Sequence, residues 1–243
     1  MSAKQNFEEL TKTLPNVGKT LFVPLLGRAR AKQFKIPFED QKAEKLAQEY
    51  ELGRHIHLSS LFSKACIVRA RAFDEWASLG LIGFGTDGIL ISLGAGLCTR
   101  HQRLSREAHH ALTFEVDFPE VIELKRKLYG EDAGQHFLAS NILDETWVEQ
   151  IKKILEAKNL SHPQFFITLE GVGMYLTPVQ ITSLMHLLKR HFAGAQFAFD
   201  YISRIFVSRA YLLPAISKTH SQFHFAPSSI QEFAQQYQLT LKA

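Results

Sequence analysis

From residue 88 onward the sequence alternates short apolar segments with longer segments whose apolar residues recur every three or four positions. The short segments have the length of strands, and the longer ones have the periodicity of amphipathic helices. The predicted strands are residues 88–93, 112–116, 136–139, 164–169 and 196–199, and the helices predicted between them are residues 101–106, 119–129, 145–158 and 178–191. Because crossover helices cover both faces of a parallel sheet, this alternation predicts an α/β doubly wound domain.

The first 80 residues have a different pattern, in which helical periodicity is found without strands. The predicted helices there are residues 6–14, 20–33, 38–49 and 61–79. We therefore expect residues 1–80 to form a helical N-terminal cap and residues 81–243 to form one compact sheet domain. The last segment, residues 222–243, is expected to add a strand, a helix at 230–238 and a further strand. Thr177, Ser228 and Ser229 are candidate helix caps.

The composition excludes several classes of function. The 28 Lys and Arg residues exceed the 24 Asp and Glu residues by only four, a net charge too small to indicate a nucleic-acid partner. The most apolar stretch, residues 81–97, is interrupted by Asp87 and five glycines, so no membrane-spanning segment is expected. With two cysteines and no apolar leader, the chain is expected in the reducing cytoplasm. The two close pairs of histidines lack further ligands at metal-site spacing, so no metal is expected.

A glycine-containing turn follows the first predicted strand directly. Gly94, Ala95 and Gly96 lie at the carboxyl end of that strand, which is where doubly wound sheets bind their ligands. Thr99 occupies the place of the third glycine of the dinucleotide fingerprint, which disfavours an NAD or FAD site. Asp117 stands 21 residues after Gly96, close to the spacing of a carboxylate that binds ribose hydroxyls. Asp117 is equally a candidate cap for the helix predicted at 119, and both roles are compatible.

Four segments in this order resemble the leucine carboxyl methyltransferase family, which also contains bacterial O-methyltransferases of polyketide biosynthesis. The segments are LGAGLCTR at 93–100, EVDFPEVIELKRK at 115–127, ASNILDETW at 139–147 and LEGVGMYLTPVQ at 169–180. The resemblance runs from about residue 20 to residue 201. It implies a Rossmann-like methyltransferase fold with a seven-stranded, mostly parallel sheet, and S-adenosylmethionine as the cofactor.

The resemblance also implies roles for individual residues. Gly94, Ala95 and Gly96 would form the turn against the methionine portion and ribose of the cofactor, and Asp117 would bind the ribose hydroxyls. Asn141 and Ile142 would contact the adenine, with Asn141 in place of the family's usual acid. Glu170 would bond the cofactor's ammonium group, and Arg69 would pair with its carboxylate. Read without the resemblance, Glu170 is a helix N-terminal acid and Arg69 an ordinary solvated charge.

Cys98 departs from the family, which usually has an aspartate at this position of the cofactor loop. If that aspartate braces the loop or pairs with Arg100, then Arg100 needs another partner in this chain. For the methyl acceptor we expect a pocket formed by Tyr175, Tyr201 and Arg204, which follow the fourth and fifth predicted strands. Their alternative roles are those of packing aromatics and a surface arginine.

The leading functional hypothesis is an S-adenosylmethionine-dependent O-methyltransferase that acts on a carboxylate or hydroxyl of a small molecule. A second hypothesis changes the acceptor to the C-terminal carboxylate of a protein. A third is a regulatory module that binds the cofactor without transferring its methyl group, because Cys98 and Asn141 replace family acids. An NAD-dependent oxidoreductase is the remaining alternative, and the incomplete glycine fingerprint disfavours it.

Overall fold

The computed structural model describes residues 7–11, 18–104, 108, 110–160, 162–203 and 223–242. In this part of the chain five parallel strands form one sheet in the order β3-β2-β1-β4-β5. The strands are β1 Gly88–Leu93, β2 Leu112–Asp117, β3 Gln135–Ala139, β4 Gln164–Leu169 and β5 Gln196–Phe199. The chain winds from β1 outward to β3 and then from β4 outward to β5, so the winding direction switches between β1 and β4. In a sheet of this topology the ligand crevice lies outside the carboxyl ends of the strands at that switch.

The helices that follow β1 are short or medium in length and match the sequence prediction closely. They are α6 Arg100–Arg103, α7 Pro119–Tyr129, α8 Thr146–Ala157, α9 Pro178–His191 and α10 Ile230–Tyr237. Thr177 caps α9 through a reciprocal pair of hydrogen bonds with Gln180, and Ser229 caps α10 by accepting from the N–H of Glu232. Three of the predicted strands and two of the predicted helices have the bounds that the sequence indicated.

All elements described before β1 are helical. The α-helices are α1 Phe7–Thr11, α2 Gly18–Ala29, α3 Gln41–Glu49, α4 Leu52–His55 and α5 Ser60–Phe84, and short 3₁₀ turns occupy Ala31–Phe34 and Gly85–Asp87. Leu97, from the loop after β1, is buried in the same apolar cluster as Phe22, Leu25 and Leu46 of these helices. The loop after β1 therefore packs against the N-terminal helices as well as against the sheet.

The predicted strands in the last segment are not formed in residues 223–242. The N–H groups of His224 and Phe225 donate instead to the carbonyl of Met174, at 2.8 and 3.3 Å. The N–H of Leu239 donates to the carbonyl of Ala234 and closes the end of α10. Residues 223–242 thus contribute one helix and no strand, and the described sheet has five strands.

The two faces of the sheet are covered by different helices. Ile89, Ile91 and Leu93 of β1 pack in the core formed with α8 and α9, whereas Leu90 packs against α5. The indole of Trp147 is fully buried in the first of these layers and donates from Nε1 to the carbonyl of Ile142 at 3.2 Å. In the described ranges, we find no helix with both the length and the apolar character needed to cross a membrane.

Gly80 allows α5 to approach the sheet closely, because a Cβ at this position would overlap the ring of Phe166. We predict that Gly80→Ala destabilises the protein by about 1–3 kcal/mol, because overpacking outweighs the better helix propensity of alanine. The matched control is Gly83→Ala in the same helix, where a Cβ would meet no atom within 4 Å. That change should stabilise by up to about 1 kcal/mol. Urea unfolding of both variants measures the contrast, and equal effects would contradict the close approach.

Candidate cofactor site

The turn after β1 depends on its two glycines. Gly94 and Gly96 have φ angles of 63° and 48°, in the left-handed region that favours glycine. A Cβ on Gly94 would also overlap the side chain of Val172. The N–H groups of Gly94 and Ala95 both donate to the carbonyl of Val116, at 2.8 and 3.1 Å. The turn is therefore fixed against the end of β2.

Asp117 completes this turn. Its buried carboxylate accepts from the N–H of Gly96 at 2.7 Å and from the N–H of Phe118 at 2.8 Å. Burial raises the pKa of this carboxyl, and the two N–H groups oppose that rise. The predicted role as a helix cap is wrong, because Phe118 occupies the cap position of α7 without a side-chain bond. An ionised carboxylate has about four acceptor positions, so acceptor capacity remains for ribose hydroxyls.

Asn141 and Ile142 lie next to Asp117 at the end of β3. The N–H of Ser140 donates to the carbonyl of Asp117 at 2.9 Å, which sets the two loops side by side. The side-chain oxygen of Asn141 accepts from the N–H of Leu143 at 3.0 Å, and Ile142 is buried. The two predicted adenine contacts therefore adjoin the predicted ribose carboxylate, on the neighbouring strand.

Arg69 and Glu170 form an ion pair across 101 positions of sequence. Arg69, on α5, donates from Nε to Oε1 of Glu170 at 3.0 Å, and Glu170 directly follows β4. Arg69 also pairs through Nη1 with Asp200 at 3.3 Å, and Asp200 accepts from the N–H of Gly171 at 2.6 Å. Neither alternative reading holds, since Glu170 is not at a helix N-terminus and Arg69 is not a solvated surface charge.

Arg100 has the partners that the sequence left open. It is buried, pairs with Glu170, and donates from Nε to Asp74 of α5 at 2.9 Å. Cys98, which stands in the same loop, is half-buried, and its N–H donates to the carbonyl of Ala95 at 2.9 Å. Arg100 is therefore held by two carboxylates without a third from position 98.

Asp40 joins the loop after β1 to the N-terminal helices. Its buried carboxylate accepts from Thr99 Oγ1 at 2.7 Å, Arg28 Nε at 2.8 Å and Arg103 Nη1 at 3.0 Å. The second oxygen caps α3 by accepting from the N–H of Ala43 at 3.0 Å. Arg28 in turn donates to the carbonyl of Leu97 at 2.8 Å. Asp40 and Arg28 thus hold both ends of the segment 97–99.

These contacts form one alternating series of charges, here called the charge chain. Its members are, in order of contact, Asp200, Arg69, Glu170, Arg100, Asp74, Arg103, Asp40 and Arg28. Four cations balance four anions. Burial by itself would raise the pKa of Glu170, but Arg100 and Arg69 outweigh it and lower the value to about 2. Burial likewise opposes ionisation of Asp40, and Arg28 and Arg103 hold its pKa well below the usual range. Both carboxylates are therefore charged at neutral pH.

The three predicted acceptor residues have different outcomes. Tyr175 is partly buried near Arg69 and Asp200, and burial raises the pKa of its hydroxyl. Tyr201 is exposed at its ring and lies 6.2 Å from the ring of Phe199. Arg204 lies outside the described residues. The described ranges contain no group of three or more His, Cys, Asp or Glu residues arranged to hold a metal ion.

Sequence reasoning missed four members of the charge chain, namely Asp40, Arg103, Asp200 and Arg28. The contact of Arg28 with the carbonyl of Leu97 was not foreseen either. Asp40 had a local signal, since an aspartate precedes the helical pattern at 41–49 as an N-cap does. Asp200 had a weaker signal, its position directly after the fifth strand. No sequence pattern indicated which distant residues these two carboxylates contact.

A methyltransferase structure from Thermobifida fusca, described there as putative, superposes with a TM-score of 0.56 at 18% identity, over 94% of this chain and 82% of that chain. This likeness supports the fold. The family model for leucine carboxyl methyltransferase matches residues 19–189. The chain belongs to the leucine carboxyl methyltransferase family.

Two curated relatives agree with this membership. The tetracenomycin polyketide synthesis O-methyltransferase TcmP of Streptomyces glaucescens is 26% identical over 195 residues, which are 79% of this chain and 68% of the relative. The S-adenosyl-L-methionine-dependent methyltransferase dpfgK of Gibberella zeae is 26% identical over 193 residues, which are 74% of this chain and 63% of the relative. These comparisons confirm the predicted family, and with it the prediction of a methyltransferase that uses S-adenosylmethionine.

Asp40 provides a test of the leucine carboxyl methyltransferase loop in this chain. We predict that Asp40→Asn destabilises the protein by about 3–5 kcal/mol, because it leaves the buried charge of Arg28 without its anion and Arg103 with Asp74 alone. It should also weaken S-adenosylhomocysteine binding, because Thr99 loses its anionic acceptor. Unfolding curves and calorimetry measure the two effects.

The control is Glu44→Gln on the same helix, which breaks the ion pair with the exposed Lys32. That change should cost less than about 1 kcal/mol and leave binding unaltered. If Asp40→Asn behaved like this control, Asp40 would not brace the loop.

Proposed function

We propose that the protein transfers the methyl group of S-adenosylmethionine to a carboxylate or hydroxyl of a small molecule. The observation that carries the proposal is the Arg69–Glu170 ion pair at the carboxyl end of β4, beside a glycine turn braced by Asp117. The methionine end of the cofactor carries one carboxylate and one ammonium group. A fixed cation and a fixed anion at 3.0 Å offer a complementary pair of charges to such a zwitterion.

The residues present fit the rest of the cofactor as well. Asp117 keeps acceptor capacity for the ribose hydroxyls, and Asn141 presents an amide next to the buried Ile142 for the adenine. Gly94 and Gly96 give the turn a left-handed backbone conformation that other residues disfavour. When bound, S-adenosylmethionine supplies an electrophilic methyl group on a sulfonium centre. The chain's own task is to hold the acceptor in line with that group and to exclude water.

The acceptor determines whether a base is needed. A carboxylate acceptor is already ionised at neutral pH, whereas a hydroxyl acceptor needs a group that takes its proton. Asp200 suits that second task, because burial raises the pKa of its carboxyl although Arg69 opposes the rise. We propose Tyr175, Tyr201 and Arg204 as residues of the acceptor pocket. For Tyr175 the support is its position near Arg69 and Asp200.

The proposal assigns the N-terminal helices a part in the site. Residues 1–80 would cap the crevice, and residues 81–243 would form the sheet domain, with the seven strands of the fold family as a further expectation. The contacts of Asp40 with Thr99 and of Arg28 with Leu97 support the view that cap and sheet act as one unit.

Binding of S-adenosylhomocysteine tests the proposal. We predict one site per chain by calorimetry, and an affinity lowered about tenfold to a hundredfold in Asp117→Ala, because hydrogen bonds to a charged group contribute about 1.5–3 kcal/mol. The matched control, Asp144→Ala, removes an exposed carboxylate from the neighbouring loop and should bind normally. Absence of binding, or equal affinity in both variants, would refute the assignment.

The acceptor class requires a second experiment. Labelled S-adenosylmethionine is offered with panels of small carboxylic acids, phenols and peptides with free carboxyl termini. Label released by mild base identifies a methyl ester, and base-stable label identifies an ether. Transfer to the peptides alone would favour the protein acceptor. Tight cofactor binding without transfer to any panel would favour the regulatory module.

A further inference from the structure

Helix α5 has an apolar outer face. Of the nine large hydrophobic side chains that are exposed in the described ranges, five belong to this helix. Their exposed fractions are large, with 80% for Leu61, 58% for Val68, 50% for Trp76 and 63% for Leu79. The inner face of the same helix packs on β1 and β4 through Ala77 and Leu81. The helix is thus apolar on two sides, and one of them faces solvent.

Uncharged residues recur at helical spacing along the whole outer face of α5. Residues spaced by 4, 7 and 11 positions from Ala72 lie within about 40° of it on a helix of 3.6 residues per turn. None of these positions carries a charge. They form what we call the α5 stripe, which comprises Leu61, Ala65, Val68, Ala72, Trp76, Leu79 and Gly83. At about 1.5 Å per residue the stripe is about 33 Å long.

The α5 stripe is complementary to itself in volume. When two copies of α5 run antiparallel about a two-fold axis at Ala72, residues equally far from Ala72 on either side face each other. The large Leu79 then faces the small Ala65, Leu61 faces Gly83, and Trp76 faces Val68. Facing large and small side chains interdigitate without voids, which is the condition for close helix packing.

The charges that border the stripe are complementary in the same arrangement. Arg71 and Glu75 are both exposed and lie along one edge of the stripe. A two-fold axis at Ala72 brings this edge of one copy to the same edge of the other. Arg71 of each copy then lies within about 3 Å, measured along the helix axis, of the level of Glu75 in its partner. An isologous interface repeats this contact twice.

We propose that the protein forms a homodimer in which the α5 stripes of two copies pack antiparallel about Ala72. An exposed patch of this kind measures about 300–600 Å² per copy, so two copies bury about 600–1,200 Å² before the flanking side chains are counted. This is at the low end for specific interfaces, and the dimer is expected to dissociate in the micromolar range. The proposal does not depend on the proposed function.

Sedimentation velocity across a concentration series tests the dimer. The wild-type protein should change from monomer to dimer between about 1 and 200 µM. Leu79→Glu places a charge in the stripe and should raise the dissociation constant at least about tenfold. The matched control is Val179→Glu, which replaces an equally exposed residue on α9 and should leave association unchanged. Circular dichroism verifies that both variants are folded.

The charged edge tests the register separately. Arg71→Glu and Glu75→Arg should each weaken self-association, because every charge at the contact then has the same sign. An equimolar mixture of the two variants should associate at least as well as wild type, because opposite charges face each other again. A monomer at all concentrations, a dimer insensitive to Leu79→Glu, or a mixture that fails to recover association would each overturn the proposal.

Discussion

Eight alternating charges, from Asp200 to Arg28, connect the N-terminal helices with the carboxyl ends of the central strands. Charges in a poorly hydrated place are tolerated only when they are paired and hydrogen-bonded. Each member of this charge chain therefore needs a neighbour of opposite charge. The members come from α2, α5 and α6, from the cap position before α3, and from the loops after β4 and β5. The position of these elements relative to one another is fixed by this requirement.

The same interactions join the N-terminal helices to the proposed cofactor site. Arg69 of α5 reaches the end of β4, and Asp40 holds Thr99 in the loop that follows β1. The close approach of α5 at Gly80 brings this helix onto the sheet. The apolar cluster around Leu97 packs the loop after β1 against the other N-terminal helices. Packing places the helices, and the charge chain aligns their polar groups with the crevice. For this reason Cys98 does not leave Arg100 without an anion.

The sequence predicts the helices and strands well, but it does not predict which distant residues contact each other. The strands at 88–93, 164–169 and 196–199 were predictable because apolar runs between turn residues leave few alternatives. Gly94 and Asp117 could be identified from their positions beside strand ends. The contact of Asp40 with Thr99 spans 59 positions and that of Arg69 with Asp200 spans 131, and no local pattern encodes such pairs. The strands expected on either side of α10 are not formed in residues 223–242, where the N–H groups of His224, Phe225 and Leu239 donate outside any sheet.

We propose that the Arg69–Glu170 pair recognises the amino-acid end of the cofactor. The most direct test compares two ligands, S-adenosylhomocysteine and 5′-methylthioadenosine, which lacks that end, in wild type and Arg69→Ala. In the variant Glu170 keeps Arg100 and Asp200 keeps the N–H of Gly171 as partners, and circular dichroism verifies that the protein is folded. We expect the variant to lose affinity for S-adenosylhomocysteine about tenfold or more and to bind 5′-methylthioadenosine as wild type does. Equal losses for both ligands, or no loss for either, would contradict it.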